Sequence, residues 1–144
     1  MRWLLFLGCV SCDQGAAPAE FGHESFIRVH HYRVTDQGPE FWFDRTVSLT
    51  GDGRLDDERD KPPRSVHVRI PPARFAAIVK PLAKGRFFSL EAYCGRNFDH
   101  GTFTSIELNI PVGHKTVTDT GGCDDDAFDA ALRAILDLAD RVPE

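Results

Sequence analysis

Thr102-Phe103-Thr104-Ser105-Ile106-Glu107-Leu108-Asn109-Ile110, then Pro111-Val112-Gly113, then His114-Lys115-Thr116-Val117-Thr118-Asp119-Thr120, is the stretch that decides the fold. Its first segment alternates, with Thr104, Ile106, Leu108 and Ile110 on one side, the two-residue period of a strand with one buried face. Pro-Val-Gly turns the chain, and His114 to Thr120 returns as a second strand, which so short a link makes antiparallel. The period then changes to that of a helix. Phe128, Ala131, Leu132, Ile135, Leu138, Ala139 and Val142 fall on one helical face. Asp124, Asp125 and Asp126 precede that face, where carboxylates accept from free N–H groups and meet the positive end of the dipole. A hairpin followed by an amphipathic helix is the signature of an antiparallel sheet with a helix laid on it.

Working outward, Ser25 to Val34 carries Phe26, Ile27, Val29, Tyr32 and Val34 and reads as a strand, closed by the turn residues Asp36-Gln37-Gly38-Pro39. Glu40 to Thr50 alternates, with Phe41, Phe43, Val47 and Leu49 on one side and Trp42, Asp44, Thr46 and Ser48 on the other; Arg45 interrupts the apolar side. Gly51-Asp52-Gly53 supplies a hairpin turn. Arg54 to Glu58 returns as a strand, Arg59 to Arg64 reads as a charged loop with prolines, and Val66, Val68 and Ile70 mark the next strand. Pro71-Pro72 opens a helix with Phe75, Ile78, Val79 and Leu82 on one face, which Pro81 is expected to kink or end and Gly85 to stop. Phe87, Phe88 and Leu90 then re-enter the core. The fold class is α+β: an antiparallel sheet of about five to six strands with two helices packed on one face, in the order β-β-β-β-α-β-β-α.

The chain has 144 residues, is 42% hydrophobic and carries a formal net charge of −5, which fits one globular domain and excludes collagen, coiled coil, multi-span membrane proteins and wholesale disorder. An acidic balance excludes a general nucleic-acid binder, which needs a basic footprint. The opening Met1-Arg2-Trp3-Leu4-Leu5-Phe6-Leu7-Gly8-Cys9-Val10-Ser11-Cys12 has a basic start, a short apolar run and small residues, the order of a secretory signal. Ending at cysteine, it resembles a bacterial lipoprotein signal, whose cysteine is acylated. Cys12 is the candidate lipid attachment residue, because it leaves the longer apolar run and leaves Cys94 and Cys123 as a pair; Cys9 is the alternative. The division is signal peptide 1–11, flexible tether 12–24 and a single α+β domain 25–144. Loss of Arg2 with the signal takes the net charge to −6. The expected location is the bacterial cell envelope, lipid-anchored, with secretion as the alternative.

Arg86-Phe87-Phe88-Ser89-Leu90-Glu91-Ala92-Tyr93 resembles the F-F-S-L-x-x-x-Y segment of a family of uncharacterised bacterial envelope proteins, the domain-of-unknown-function family 6438. The Gly51-Asp52-Gly53 turn, the helix with Phe75 and Ile78-Val79, Thr104 to Leu108, Lys115 to Asp119 and the closing helix follow in that family's order. The resemblance runs from about Phe41 to Leu138 and departs before that, where the family's early cysteine-glycine-cysteine-proline loop is missing. It implies a fold and a location and brings no activity.

The candidate chemistry is sparse. Cys94 and Cys123 each adjoin glycine, and in an oxidising compartment such a pair forms a disulfide; a zinc site joining them with His100 lacks the close paired spacing of known frameworks. Adjacent His30 and His31 point to opposite faces of a strand and cannot chelate together. Asp52, Asp56, Asp57 and Asp60 lack the spacing of a calcium loop and read as a solvated hairpin. No G-x-S-x-G, H-E-x-x-H, P-loop or dinucleotide fingerprint appears. Arg45 either pairs with an acidic residue at the sheet edge or floors an anionic pocket. The expectation is a non-enzymatic binding module without cofactor or metal. It would be anchored to the membrane, face an envelope protein partner, and use Trp42 and Arg45 as contact candidates. The alternative is a small hydrolase or metal-binding enzyme built from Arg45, His67, His100 and nearby carboxylates.

Overall fold

Ile27 and Val29, alternating on one strand, are flanked in register by Leu49 and Val47 on one side and by Leu108 and Ile106 on the other. That block is the centre of the molecule. The computed structural model describes residues 20–35, 38–95 and 101–142, of which 34–35 and 38–43 by backbone alone. The strands are β1 (Phe26–Thr35), β2 (Gly38–Thr50), β3 (Arg54–Asp60), β4 (Pro63–Arg69), β5 (Tyr93–Cys94), β6 (Gly101–Ile110) and β7 (Gly113–Asp119). Helix α1 (Ala73–Lys84) follows β4, and α2 (Asp126–Asp140) follows β7. The sheet order is β4-β3-β2-β1-β6-β7-β5, antiparallel throughout except for the parallel β5–β7 pair.

Both helices lie on the same face. The apolar alternates Ile27, Val29, Val47, Leu49, Leu55, Ile106, Leu108, Ile110 and Val117 form one cluster with Phe75, Val79 and Leu82 of α1 and Phe128, Ala131, Ile135 and Ala139 of α2. Full burial of each large side chain contributes about 1.5–3 kcal/mol. Asp125 caps α2, its Oδ1 accepting from the Phe128 N–H at 2.9 Å, as the acidic run led one to expect. Gly53 has φ 85°, and a side chain there would clash with the Ile70 carbonyl oxygen, so the β2–β3 turn requires glycine.

The class is α+β with two helices on one face, but several details differ from the sequence reading. The sheet has seven strands and is mixed, because the two-residue β5 joins β7 after α1; so short a segment has no periodicity to read. The expected loop from Arg59 to Arg64 is a tight turn at Lys61 and Pro62, with Asp60 paired to Pro63. Pro81 neither ends nor stops α1, which runs on to Lys84. Both Pro81 and Ala77, the residue whose carbonyl loses its partner, lie on the exposed side, where water replaces the missing bond. Finally, β1 pairs His31 with Arg45 but Tyr32 with Phe43, so a bulge at Asp44 breaks the alternation that the sequence carries along β2. Glu20 to Glu24, assigned to the tether, lies against the fold: Phe21 meets the Phe75 ring edge-on at 5.1 Å, and Ser25 donates its N–H to Gly22 O. No helix among the described residues is long and apolar enough to cross a membrane.

Cys94 and Cys123 are joined by a disulfide that closes a separation of 29 residues and ties β5 to the entrance of α2. The chain-entropy argument assigns such a loop about 3–4 kcal/mol. Replacing both cysteines by serine should lower the free energy of unfolding in urea by about that amount; an unchanged denaturation midpoint would show that the bridge contributes nothing.

Candidate functional site

Arg45 sits on the helix-covered side of β2, at the end of the apolar block. A guanidinium there needs partners. Its Nε donates to Asp57 Oδ1 at 2.9 Å and its Nη2 to Asp57 Oδ2 at 3.0 Å, a two-bond fork, while Nη2 also reaches Asp140 Oδ1 at 2.7 Å. Arg59 Nη2 donates to the same two carboxylates at 3.2 and 2.9 Å. Asp57 is 1% exposed. The acidic run of the β2–β3 hairpin is therefore not uniformly solvated: strand alternation turns Asp57 inward. Asp140 stands in the last turn of α2, where a carboxylate opposes the helix dipole, and the two guanidinium groups offset that cost. Burial pushes the Asp57 carboxyl up, but the hydrogen bond and charge of Arg45, then those of Arg59, outweigh it and hold it below the usual carboxylate value.

The opposite face of the sheet is polar. From β3 to β7 it presents Asp56, Ser48, Arg28, Glu107 and Thr116 in one cross-strand row. Glu107 is the centre of a cluster: it accepts from Arg28 Nη1 at 3.0 Å and from His114 Nε2 at 3.0 Å, with His30 Nε2 at 3.9 Å. Burial raises the Glu107 carboxyl, and His114 and Arg28 more than reverse it; burial and the nearby Arg28 charge push His30 down against the pull of Glu107. Near the β4 edge, His67 Nδ1 lies 2.7 Å from Asp56 Oδ1 and His67 Nε2 lies 2.8 Å from Ser65 Oγ. Arg54 Nε holds the other Asp56 oxygen at 3.0 Å. At one end the face is covered: Phe103, Ser105 and Thr118 are buried, Tyr32 packs on Phe103 at 5.7 Å, and Ser105 and Thr118 share a hydrogen bond.

Among the described residues, the structure brings Cys94 and Cys123 together but not Arg45 and His67. Arg45 and His67 lie on opposite faces of the sheet. The Trp42 side chain, His100, Cys9 and Cys12 lie outside the described residues. His30 and His31 do point to opposite faces, bonding Thr46 and Thr104. Two hollows, of about 310 Å³ between α1 and α2 and about 430 Å³ beside Phe21 and Val112, lie on the helix side, and neither is lined by Arg45 or His67. Sequence reasoning missed Ser65, Asp56 as a partner of His67, and Glu107. The first was readable, since Ser65 and His67 share a side of an alternating strand; the others needed the register. No protein-family model and no curated protein matches this chain.

Asp57 is the keystone of the clamp and Asp140 its exposed outer member, 55% accessible at its side chain. Asp57→Ala leaves two guanidinium groups with only the exposed Asp140 and should cost about 3–5 kcal/mol, against about 1 kcal/mol or less for Asp140→Ala; equal losses in urea titrations would refute the ranking. Asp57, Asp52 (pushed down to about 2 by Thr50 and Arg69) and Glu107 all have depressed values in the fold. Their contribution is complete above the unfolded values of 3.8 and 4.5 and is lost as pH falls through the lower folded values. Thermal scans should show a midpoint falling steadily below about pH 4 and still falling at pH 2, where Asp52 is only half protonated in the fold.

Proposed function

We propose that this protein is a binding module of the bacterial cell envelope, lipid-anchored at Cys12 or, in the alternative, Cys9, or else secreted, that presents the open face of its sheet to an envelope protein partner. The observation that carries this reading is the division of labour between the two faces. Two helices and the Arg45–Asp57 clamp occupy one, while the other sets out Arg28, Glu107, His30, His114 and Asp56 on four strands. Such a polar surface suits a partner with alternating charges, and it needs no chemical step. The Cys94–Cys123 disulfide supports an oxidising compartment. The signal-like N-terminus and the resemblance of Arg86 to Tyr93 to the domain-of-unknown-function family 6438 support the envelope. Arg45 belongs to the clamp in this reading, and Trp42 remains a candidate contact.

Two measurements test it. Intact mass of the native protein should show a diacylglyceryl group on Cys12 or Cys9, whereas an unmodified chain with free thiols would remove the location. A photo-crosslinking residue at Thr116, exposed on the open face, should give a discrete adduct in intact envelopes, and one at Arg133, on the outer side of α2, should not. Adducts from Arg133 alone would reverse the assignment of faces.

A further inference from the structure

We propose that Ser65 is an activated nucleophile, with His67 as its general base and Asp56 as the group that orients the base, and that it transfers acyl groups from small carboxylic esters with good leaving groups. The site shares Asp56 and the open face with the partner reading, but acylation and crosslinking are separate readouts, so the two fail separately. Three polar neighbours on a sheet are common; the direction of the proton bonds sets these apart. An ionised carboxylate only accepts, so Asp56 Oδ1, 2.7 Å from His67 Nδ1, places the ring proton on Nδ1. The neutral ring then offers a lone pair at Nε2. With the ring neutral, Ser65 Oγ, 2.8 Å away, is the donor. Serine hydroxyl aimed at Nε2, with Nδ1 held by a carboxylate, is the arrangement that nucleophilic catalysis requires.

The strands build it from short-range rules. Ser65 and His67 are two apart on β4 and share a face. Asp56 is His67's cross-strand partner in β3. Arg54, two residues before Asp56, anchors the second carboxylate oxygen at 3.0 Å. The charged groups facing the site are Arg54, Asp56 and Glu58 of β3 and Arg69 of β4; its β2 neighbours Thr46, Ser48 and Thr50 are uncharged. His67 is exposed, so a substrate reaches it without any opening of the fold.

In the step itself, the Ser65 Oγ–H bond breaks and its proton passes to Nε2 as Oγ bonds the ester carbonyl carbon. The carbon–oxygen bond to the leaving group then breaks, and the departing oxygen takes the proton from Nε2. Water repeats the sequence on the acyl-serine, giving its proton to Nε2, and Oγ recovers a proton as the carboxylic acid leaves. Asp56 stays ionised throughout. General-base assistance alone accelerates by roughly 10²–10⁴-fold, so the activity expected at this open site is slow and confined to reactive esters.

The test is incubation of the full chain with p-nitrophenyl acetate, followed by peptide mapping. The expected result is a burst of p-nitrophenolate with acetyl on Ser65. Ser89, whose hydroxyl donates to the Arg86 carbonyl and has no base, should acetylate about 100-fold more slowly. Ser65→Ala and His67→Gln should abolish the burst, and Asp56→Asn should reduce it at least tenfold. Ser65 and His67 are exposed and Asp56 is half-buried on the face away from the core, and an intact disulfide and unchanged circular dichroism will report that the variants fold. Acetyl on His67 with an undiminished rate in Ser65→Ala, or equal acetylation of Ser65 and Ser89, would overturn the proposal.

Discussion

Asp57 carries a full charge into the covered side of the sheet, and the arrangement of the molecule follows from how that charge is neutralised. An isolated buried carboxylate costs several kcal/mol. Here the fork from Arg45 on the neighbouring strand and a further bond from Arg59 on its own strand satisfy both oxygens. The two guanidinium groups then reach out to Asp140 and hold the end of α2, which otherwise presents a carboxylate to the wrong end of its own dipole. One network thus joins β2, β3 and α2 where the apolar block runs out. The disulfide performs the same service at the other end of the helix, tying its entrance to β5.

With both helices fixed on one side, the other face is left to polar residues, and its pattern is that of pairing across strands. Arg28 meets Glu107, His114 meets Glu107, His67 meets Asp56. Each is a cross-strand or diagonal neighbour of opposite character, the arrangement that stabilises a sheet surface. The same pairing fixes which imidazole nitrogen bears a proton, and a pattern that serves the sheet thereby also prepares Ser65. The β4 edge stays short and carries Pro63, Arg64 and Arg69, features that discourage strand addition by another chain.

What could be read from the residues alone was whatever is local. The 3.6-residue stripe of α2, its aspartate cap and the alternation of β6 are all properties of one segment, and each is present in the fold. The two-residue β5 could not be read, because its existence depends on β7 and the disulfide. The turn at Lys61 and Pro62 was hidden among charged residues that look like loop, and with it went the β3–β4 register that sets Asp56 against His67. Arg45 was visible as an anomaly on an apolar stripe; its partner was not, because Asp57 lay in an acidic run whose composition suggests solvent and whose alternation does not. Proline at 81 looked like a stop, yet the carbonyl it releases faces water.

The central claim is that Arg45 and Asp57 are a coupled buried pair rather than two independent surface charges. A double-mutant cycle in urea measures it directly, with Arg45→Met, Asp57→Leu and the two combined. The account predicts that each single change costs about 3–5 kcal/mol, while the combined change costs little more than either alone or less, a coupling of at least about 2 kcal/mol. Single losses that simply add, within about 0.5 kcal/mol, would show that the pair is not what holds α2 to the sheet.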